Sequence, residues 1–538
     1  MKHDLTTLAA AVLLIGGTLF SGGLFGSGSQ IKRSAADVIN TSATVTAAED
    51  SKGTFPAGEA GASVSVVTTT TAVTTVPASE IPPETTTTAK PKGDKAVRKT
   101  TTTTAPEEEL PPEETDTSAP EETSAPEESK APEESETEAV TTTAPPKKTE
   151  AAEKKTTTTT PQPEPEPEPE PARKVINFGN QKAMWVTIFE LQPMMYGKTE
   201  WEFRTAYSQL CQNCKNLGIN TLYVHVRPMG DALYRSGCYP WSKYITGQIG
   251  VAPMYDPLSV MIEITHSFGL SFHAWINPYR VGTTSDIMNA PGYYLVKQWL
   301  SSPAAYPEYV TYVPDTYACW LNPGVPLARW LITKGVTEIV ENYEVDGIHI
   351  DDYFYPTTED SFDNKTYSLY NMGMDRKSWR LYNCTATVKG IYDAVKAVDN
   401  RILFGIAPQG NYENNYVYMF ADVDLWLGTP GYCDYLAPQV YFGLEHPYKP
   451  FVPVVSQWAS LYRDPSVSLV IGIAPANMEL QDEFYNNPGI VASEINYSFL
   501  YASGVALYRY DSLFNPISGY ENRAATEVVW VRNALSQH

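Results

Sequence analysis

Residues 346 to 356 read DGIHIDDYFYP, and two adjacent carboxylates, Asp351 and Asp352, follow a short apolar run and precede three aromatic residues. A carboxylate at the end of a buried strand is costly to desolvate unless it is paired or put to use. Groups so placed act as general acids or bases, as nucleophiles, or as metal ligands. Direct neighbours on one strand cannot stand on opposite sides of a bond, so this pair departs from the usual pair of carboxylates that flanks a reacting centre. Other polar residues recur where apolar runs end: Glu190, His225, Arg227, His273, Asn277, Gln439, Tyr441, Tyr508, Arg509 and Asp511.

Those residues need a scaffold that brings run-ends together. Eight short β-branched or aromatic runs are predicted as strands: 183–189, 221–228, 271–278, 347–354, 402–408, 435–442, 469–475 and 504–510. Helical stretches separate them. EWEFRTAYSQLCQNCKNLG ends on a glycine stop, and DPLSVMIEITHSFG carries an aspartate cap and a proline in its first turn. Strands alternating with helices predict an α/β fold, a (β/α)8 barrel, whose active site lies at the C-terminal ends of the strands. A doubly wound open sheet is the rival, weakened because no glycine-rich phosphate fingerprint follows the first run. Strand alternation sets His349, Asp351 and Tyr353 on one side, and Asp352 on the other unless the strand has already ended. Asp346, at the start of that strand, reads as structural.

The rest of the chain bounds the function. Residues 5–26 are apolar and predict a signal peptide or N-terminal membrane anchor within 1–30. Residues 31–172, rich in Thr, Pro and Glu, predict a disordered spacer that cannot bury enough apolar surface to fold. Residues 173–538 then form the barrel domain. Of the formal charge of −23, the spacer carries −14, from 27 acidic and 13 basic residues, leaving −9 on the domain. An acidic domain without a basic stripe excludes nucleic acid as a partner and leaves neutral glycans, with membrane contact only through the N-terminal segment. An exported, extracellular or wall-associated location follows. Cys211-x-x-Cys214 has no second ligand pair for zinc, so the six cysteines read as buried thiols or one or two disulfides. No cofactor is expected. The β2–β3 and β3–β4 connections are long and rich in Tyr, Trp and Pro, and read as lids or sugar-binding loops, with ordinary loop packing as the alternative for each ring.

Six segments, VHVRPMGDALYRSGCYPWSKYITG, FHAWINPYRV, WLNPG, VDGIHIDDYFYP, IAPQGNY and LAPQVYF, in that order, resemble the bacterial glycosyl-hydrolase-like family 10 over roughly residues 181 to 515. The resemblance implies a barrel that cleaves glycosidic bonds of peptidoglycan-type glycan. The adjacent aspartates are similar to those of substrate-assisted N-acetylhexosaminidases, where one orients the substrate's acetamido group and its neighbour is the acid and then the base. That implies Asp351 as orienter or nucleophile and Asp352 as general acid/base. Tyr441 and Asn277 would hydrogen-bond the acetamido group or a hydroxyl, and Arg227, Asp231, His273, Trp275, His349, Tyr353 and Gln439 would line the sugar subsites. DGIHID also resembles the chitinase strand DG-x-D-x-D-x-E, but His349 and Tyr353 stand where that pattern has acids. Alternatives stay open. Glu190 or Asp511 would serve as the acid beside Asp351; Asp351 would pair with Arg227 as a structural ion pair; Asp352 would cap a turn; His225, His273 and His349 would hold a metal with Asp351. At the level of function, the alternatives are hydrolysis of another polysaccharide and non-catalytic glycan binding.

Overall fold

The computed structural model describes residues 173–351 and 354–538. The expectations for segments 1–30 and 31–172, and for Asp352 and Tyr353, lie outside the described residues. Eight parallel strands close into a barrel. They are β1 (Lys182–Val186), β2 (Thr221–Arg227), β3 (Ser271–Ile276), β4 (Gly347–Asp351), β5 (Leu403–Ala407), β6 (Tyr435–Leu436), β7 (Ser468–Ile473) and β8 (Gly504–Leu507). Each overlaps one of the eight predicted runs, with β1 and β7 starting one residue earlier, and β8 pairs back onto β1 through Lys182 and Val505 to complete the ring. The fold is the predicted (β/α)8 barrel.

The helices form where local chemistry starts and stops them. Helix α1 (Glu200–Leu217) opens on a Thr199–Glu202 capping box, and α2 (Pro257–Ser267) on Asp256, whose carboxylate accepts from Leu258 N and Ser259 N. Helices α3 (Pro326–Asn342) and α4 (Arg376–Val398) pack against each other outside β4. Between β3 and β4 the chain builds a three-stranded antiparallel sheet of Arg280–Gly282, Val310–Val313 and Ala318–Leu321. The connection expected to be a lid is therefore a small folded layer of its own.

Inside the barrel, large rings alternate with residues too small to obstruct them. Tyr223, His273, His349, Tyr435, Trp185 and Trp275 fill the interior and are buried. A Cβ at Gly405 would stand 1.8 Å from the Tyr435 ring, so glycine is required there. The rings share protons in a fixed order. Trp185 Nε1 donates to His349 Nε2 at 3.1 Å, and an indole N–H is donor only. His349 Nδ1 must then carry the proton it gives to the Tyr435 hydroxyl at 3.0 Å, and that hydroxyl donates to His273 Nδ1 at 2.8 Å. Burial keeps His349 well below its ordinary pKa and lowers His273 to about 4, so both rings are neutral. Asp346 sits at the opposite, N-terminal end. It accepts from Ile176 N, Phe272 N and His266 Nε2, the structural role read from its position.

Candidate active site

At the C-terminal mouth of the barrel lies a cavity of about 630 Å³. Its floor comes from the last inward residues of five strands: Trp185, His225, Trp275, Asp351 and, just past β8, Tyr508. Asp351 ends β4 and is buried, 4 % exposed. Among the described residues that line the cavity it is the sole carboxylate.

The floor is held rigid by hydrogen bonds that leave its rings neutral. His225 accepts from Ile188 N at Nδ1 (3.3 Å), so its Nε2–H faces Asn277 Oδ1 at 3.4 Å. Asn277 in turn donates from Nδ2 to the Pro228 carbonyl at 2.9 Å. The His225 ring stacks on Trp275, and burial lowers its pKa to about 3. Tyr508 stacks against Tyr441 with ring centres 5.5 Å apart. Its hydroxyl stays protonated, pushed up to about 12 by burial first, with Arg509 opposing and the Glu190 and Asp351 charges reinforcing. The floor thus offers one acid group, a phenol donor and flat aromatic faces.

Three consecutive strands supply the opposite wall, and one sequence device positions all three. β5, β6 and β7 each run into Ala-Pro: Ala407–Pro408, Ala437–Pro438 and Ala474–Pro475. Proline has no N–H to give the ladder, so continuous pairing gives way there to isolated bridges, Gln409 with Gln439 and Gln439 with Gly472, and the next residue turns into the mouth. Gln409 and Gln439 follow the first two, joined by Gln439 N donating to Pro408 O at 2.9 Å. Asn415 clamps Gln409 by accepting from its N–H (3.0 Å) and donating to its carbonyl (2.9 Å). Asn411, Asn414, Asn477 and Gln481 continue this amide-lined wall, and Phe189, Tyr418, Phe442 and Tyr448 add rings.

Of the residues singled out from sequence, Asp351, His225, Trp275, Asn277, Gln439, Tyr441 and Tyr508 meet at the cavity. Four others do not. His273 and His349 face inward as alternation requires, but lie below the mouth in the ring network, so neither reaches a sugar or a metal beside Asp351. Arg227 is turned aside where the β2–β3 register shifts between His225 and Arg227, and its guanidinium lies 4.3 Å over the Tyr239 ring rather than against Asp351. Asp231 is buried beneath the β2–β3 loop, where it accepts from Lys243 N, and burial raises its carboxyl to about 6. The rival acids are also elsewhere. Glu190 binds Thr187 N and its hydroxyl, and Arg509 at 2.6 Å, while Asp511 lines a separate groove beside it. All six cysteines are free thiols, five of them buried, which leaves the disulfide alternative without support.

Sequence reasoning missed Gln409, Asn411, Tyr418, Tyr448 and Asn477. The repeated Ala-Pro at three strand ends was the available signal for the first of these. It also missed that the aromatic β2–β3 and β3–β4 connections contribute no aromatic ring to the cavity wall among the described residues. Tyr239, Tyr294, Trp299 and Trp320 there are buried, and Tyr293, Tyr312 and Tyr317 are exposed away from the cavity.

A family model described as glycosyl hydrolase-like 10 matches residues 182–486. The chain belongs to this family. The match starts at β1 and ends before β8, within the span from which the resemblance was read. Among relatives, glycosyl hydrolase YngK of Bacillus subtilis is 33% identical over 318 residues, covering 54% of this chain and 60% of YngK, so the chain spans less than two thirds of that relative's length. Glycosyl hydrolase DigH of Escherichia coli is 31% identical over 333 residues, covering 56% of this chain and 74% of DigH. Among solved structures, the PgaB glycoside hydrolase domain of Bordetella bronchiseptica aligns with a TM-score of 0.47 at 13% identity, covering 66% of this chain and 99% of that one.

Proposed function

We propose that this glycosyl hydrolase-like 10 barrel hydrolyses an N-acetylhexosamine-containing glycan of the peptidoglycan type. One observation carries the reading: a buried Asp351 at the end of β4 is the carboxylate in a cavity otherwise walled by aromatic rings and side-chain amides. Rings stack on the C–H faces of sugars, and amides pair with hydroxyl and acetamido groups without demanding charge. The names of the two relatives, both glycosyl hydrolases, support the same class.

In this reading Asp351 orients the acetamido group so that its oxygen attacks the anomeric carbon. Asp352 protonates the departing glycosidic oxygen, then takes a proton from the water that opens the resulting ring. Tyr508, held as a phenol, and Asn277 donate to the sugar. Glu190 and Asp511 are both engaged outside the cavity, which favours this scheme over one with either of them as acid. The apolar segment 5–26 and the spacer 31–172 fit export to the wall, which cell fractionation tests directly. For activity, the full chain is incubated with wall glycan, with and without stem peptides, and new reducing ends are counted. Release by the native protein and its loss in both Asp351→Asn and Asp352→Asn is the expected result. Full cleavage by both variants removes the assignment, and glycan binding with no new ends replaces hydrolysis with recognition.

A further inference from the structure

The geometry points to an outer sugar subsite at the cavity rim, with Tyr448 as its stacking platform and Tyr418 as a second ring, that holds a distal sugar of a polymeric chain. This rests on the glycosidase reading above and extends it from the class of sugar to the length of substrate. Tyr448 is 86 % exposed and Tyr418 53 % exposed, yet both belong to the cavity wall. A large ring left in water contributes little to folding, and it is the position of these two on the cavity wall that suits them to a ligand.

The loop that carries Tyr448 is braced. Glu445 N donates to Glu483 Oε1 at 2.8 Å, and Phe451 N closes the loop on Gly443 O at 2.9 Å. Inside the loop, His446 Nδ1 accepts from Tyr448 N (3.4 Å) and Lys449 N (3.1 Å), and the His446 ring packs on Phe442. The backbone under the exposed ring is therefore fixed before any ligand arrives, which lowers the entropy cost of binding. Lys449, the one Lys or Arg among the described residues of the cavity wall, is engaged by Glu413 at 2.9 Å, so the rim presents a neutral ring suited to an uncharged sugar face. The platform is continuous with the cavity that holds Asp351, so a sugar on Tyr448 belongs to the same chain as the sugar being cleaved.

The test compares a wall-glycan strand with an aryl glycoside of an N-acetylhexosamine disaccharide, using the full chain. In Tyr448→Ala the ratio of kcat/KM for strand over disaccharide is expected to fall about tenfold, a change of ~1.4 kcal/mol carried mainly by KM. Tyr448→Phe, which keeps the ring, is expected to restore the ratio. An unchanged ratio in Tyr448→Ala overturns the subsite, as does an equal failure of Phe and Ala. Strand binding to Asp351→Asn, with and without Tyr448→Ala, separates this from the catalytic reading. If the native chain cleaves neither substrate but strand affinity still depends on Tyr448, the subsite stands and hydrolysis does not.

Discussion

The two halves of the barrel mouth use the same kind of residue to opposite ends. The connections after β2 and β3 are crowded with Tyr and Trp, and so are those after β5 and β6. After β3, Trp320 is fully buried, its indole N–H donates to Thr316 at 2.7 Å, and the Arg280 guanidinium lies 5.0 Å over its ring. After β6, Tyr448 stands in solvent on a loop tied down only through its backbone and His446. The first half folds into a three-stranded sheet that buries Trp320 and leaves Tyr293, Tyr312 and Tyr317 exposed away from the cavity, whereas the second half sets its exposed rings on the cavity wall. Exposure alone does not make a ring a ligand surface and placement on a cavity wall does, so aromatic content alone does not identify a binding loop.

The largest expected effect lies on the line where the halves meet. Asp351→Asn should lower hydrolysis by about a thousandfold or more, within the range for loss of a catalytic carboxyl group, while its unfolding transition stays cooperative. Reducing-end assays and thermal melts of the same preparation check it. On the closed half, Trp320→Ala should cost about 3–5 kcal/mol of stability in urea unfolding, as truncation of a buried tryptophan does. A cost under about 1 kcal/mol, typical of surface positions, would erase the distinction between the halves.

The floor and the ring network beneath it respond to acid. His273 and His225 are held neutral at about 4 and about 3, below the ordinary value near 6.5. A depressed folded pKa means the unfolded chain takes the proton first. Stability is therefore complete above pH ~6.5 and is lost as pH falls toward those values, at about 1.4 kcal/mol per unit for each ring. Unfolding free energy should thus drop by several kcal/mol between pH 7 and pH 5, and His273→Phe should flatten that slope. A slope unchanged by the substitution would mean the ring network does not set the acid response. The smallest effect belongs to the open half: Gln439→Ala should lower kcat/KM about tenfold, one hydrogen bond's worth, with little change in melting temperature. A large loss of stability instead would make Gln439 a packing residue, like those across the mouth.

The strand pattern and its consequence for Asp351 were legible in the sequence, because both depend on local order along the chain. Apolar runs bounded by polar loops define the strands, and in a parallel barrel every strand's C-terminal end reaches the same face. Inward direction was legible too: His273, His349 and Asp351 all face the interior as period-two alternation requires. Depth was not. Strand tilt and stagger decide which inward residue sits at the mouth and which lies a layer below, and those are properties of the closed ring. The register shift at His225 and Arg227 is likewise set by pairing with β3 and took Arg227 out of the site.

The sequence by itself determined an eight-stranded barrel and put a carboxylate at the end of its fourth strand, since periodicity and caps act within a few residues. Only the tertiary structure decided which rings and amides join Asp351. That choice rests on what covers each loop, on the stagger of strands far apart in sequence, and on the three Ala-Pro ends that turn Gln409, Gln439 and their neighbours toward one cavity.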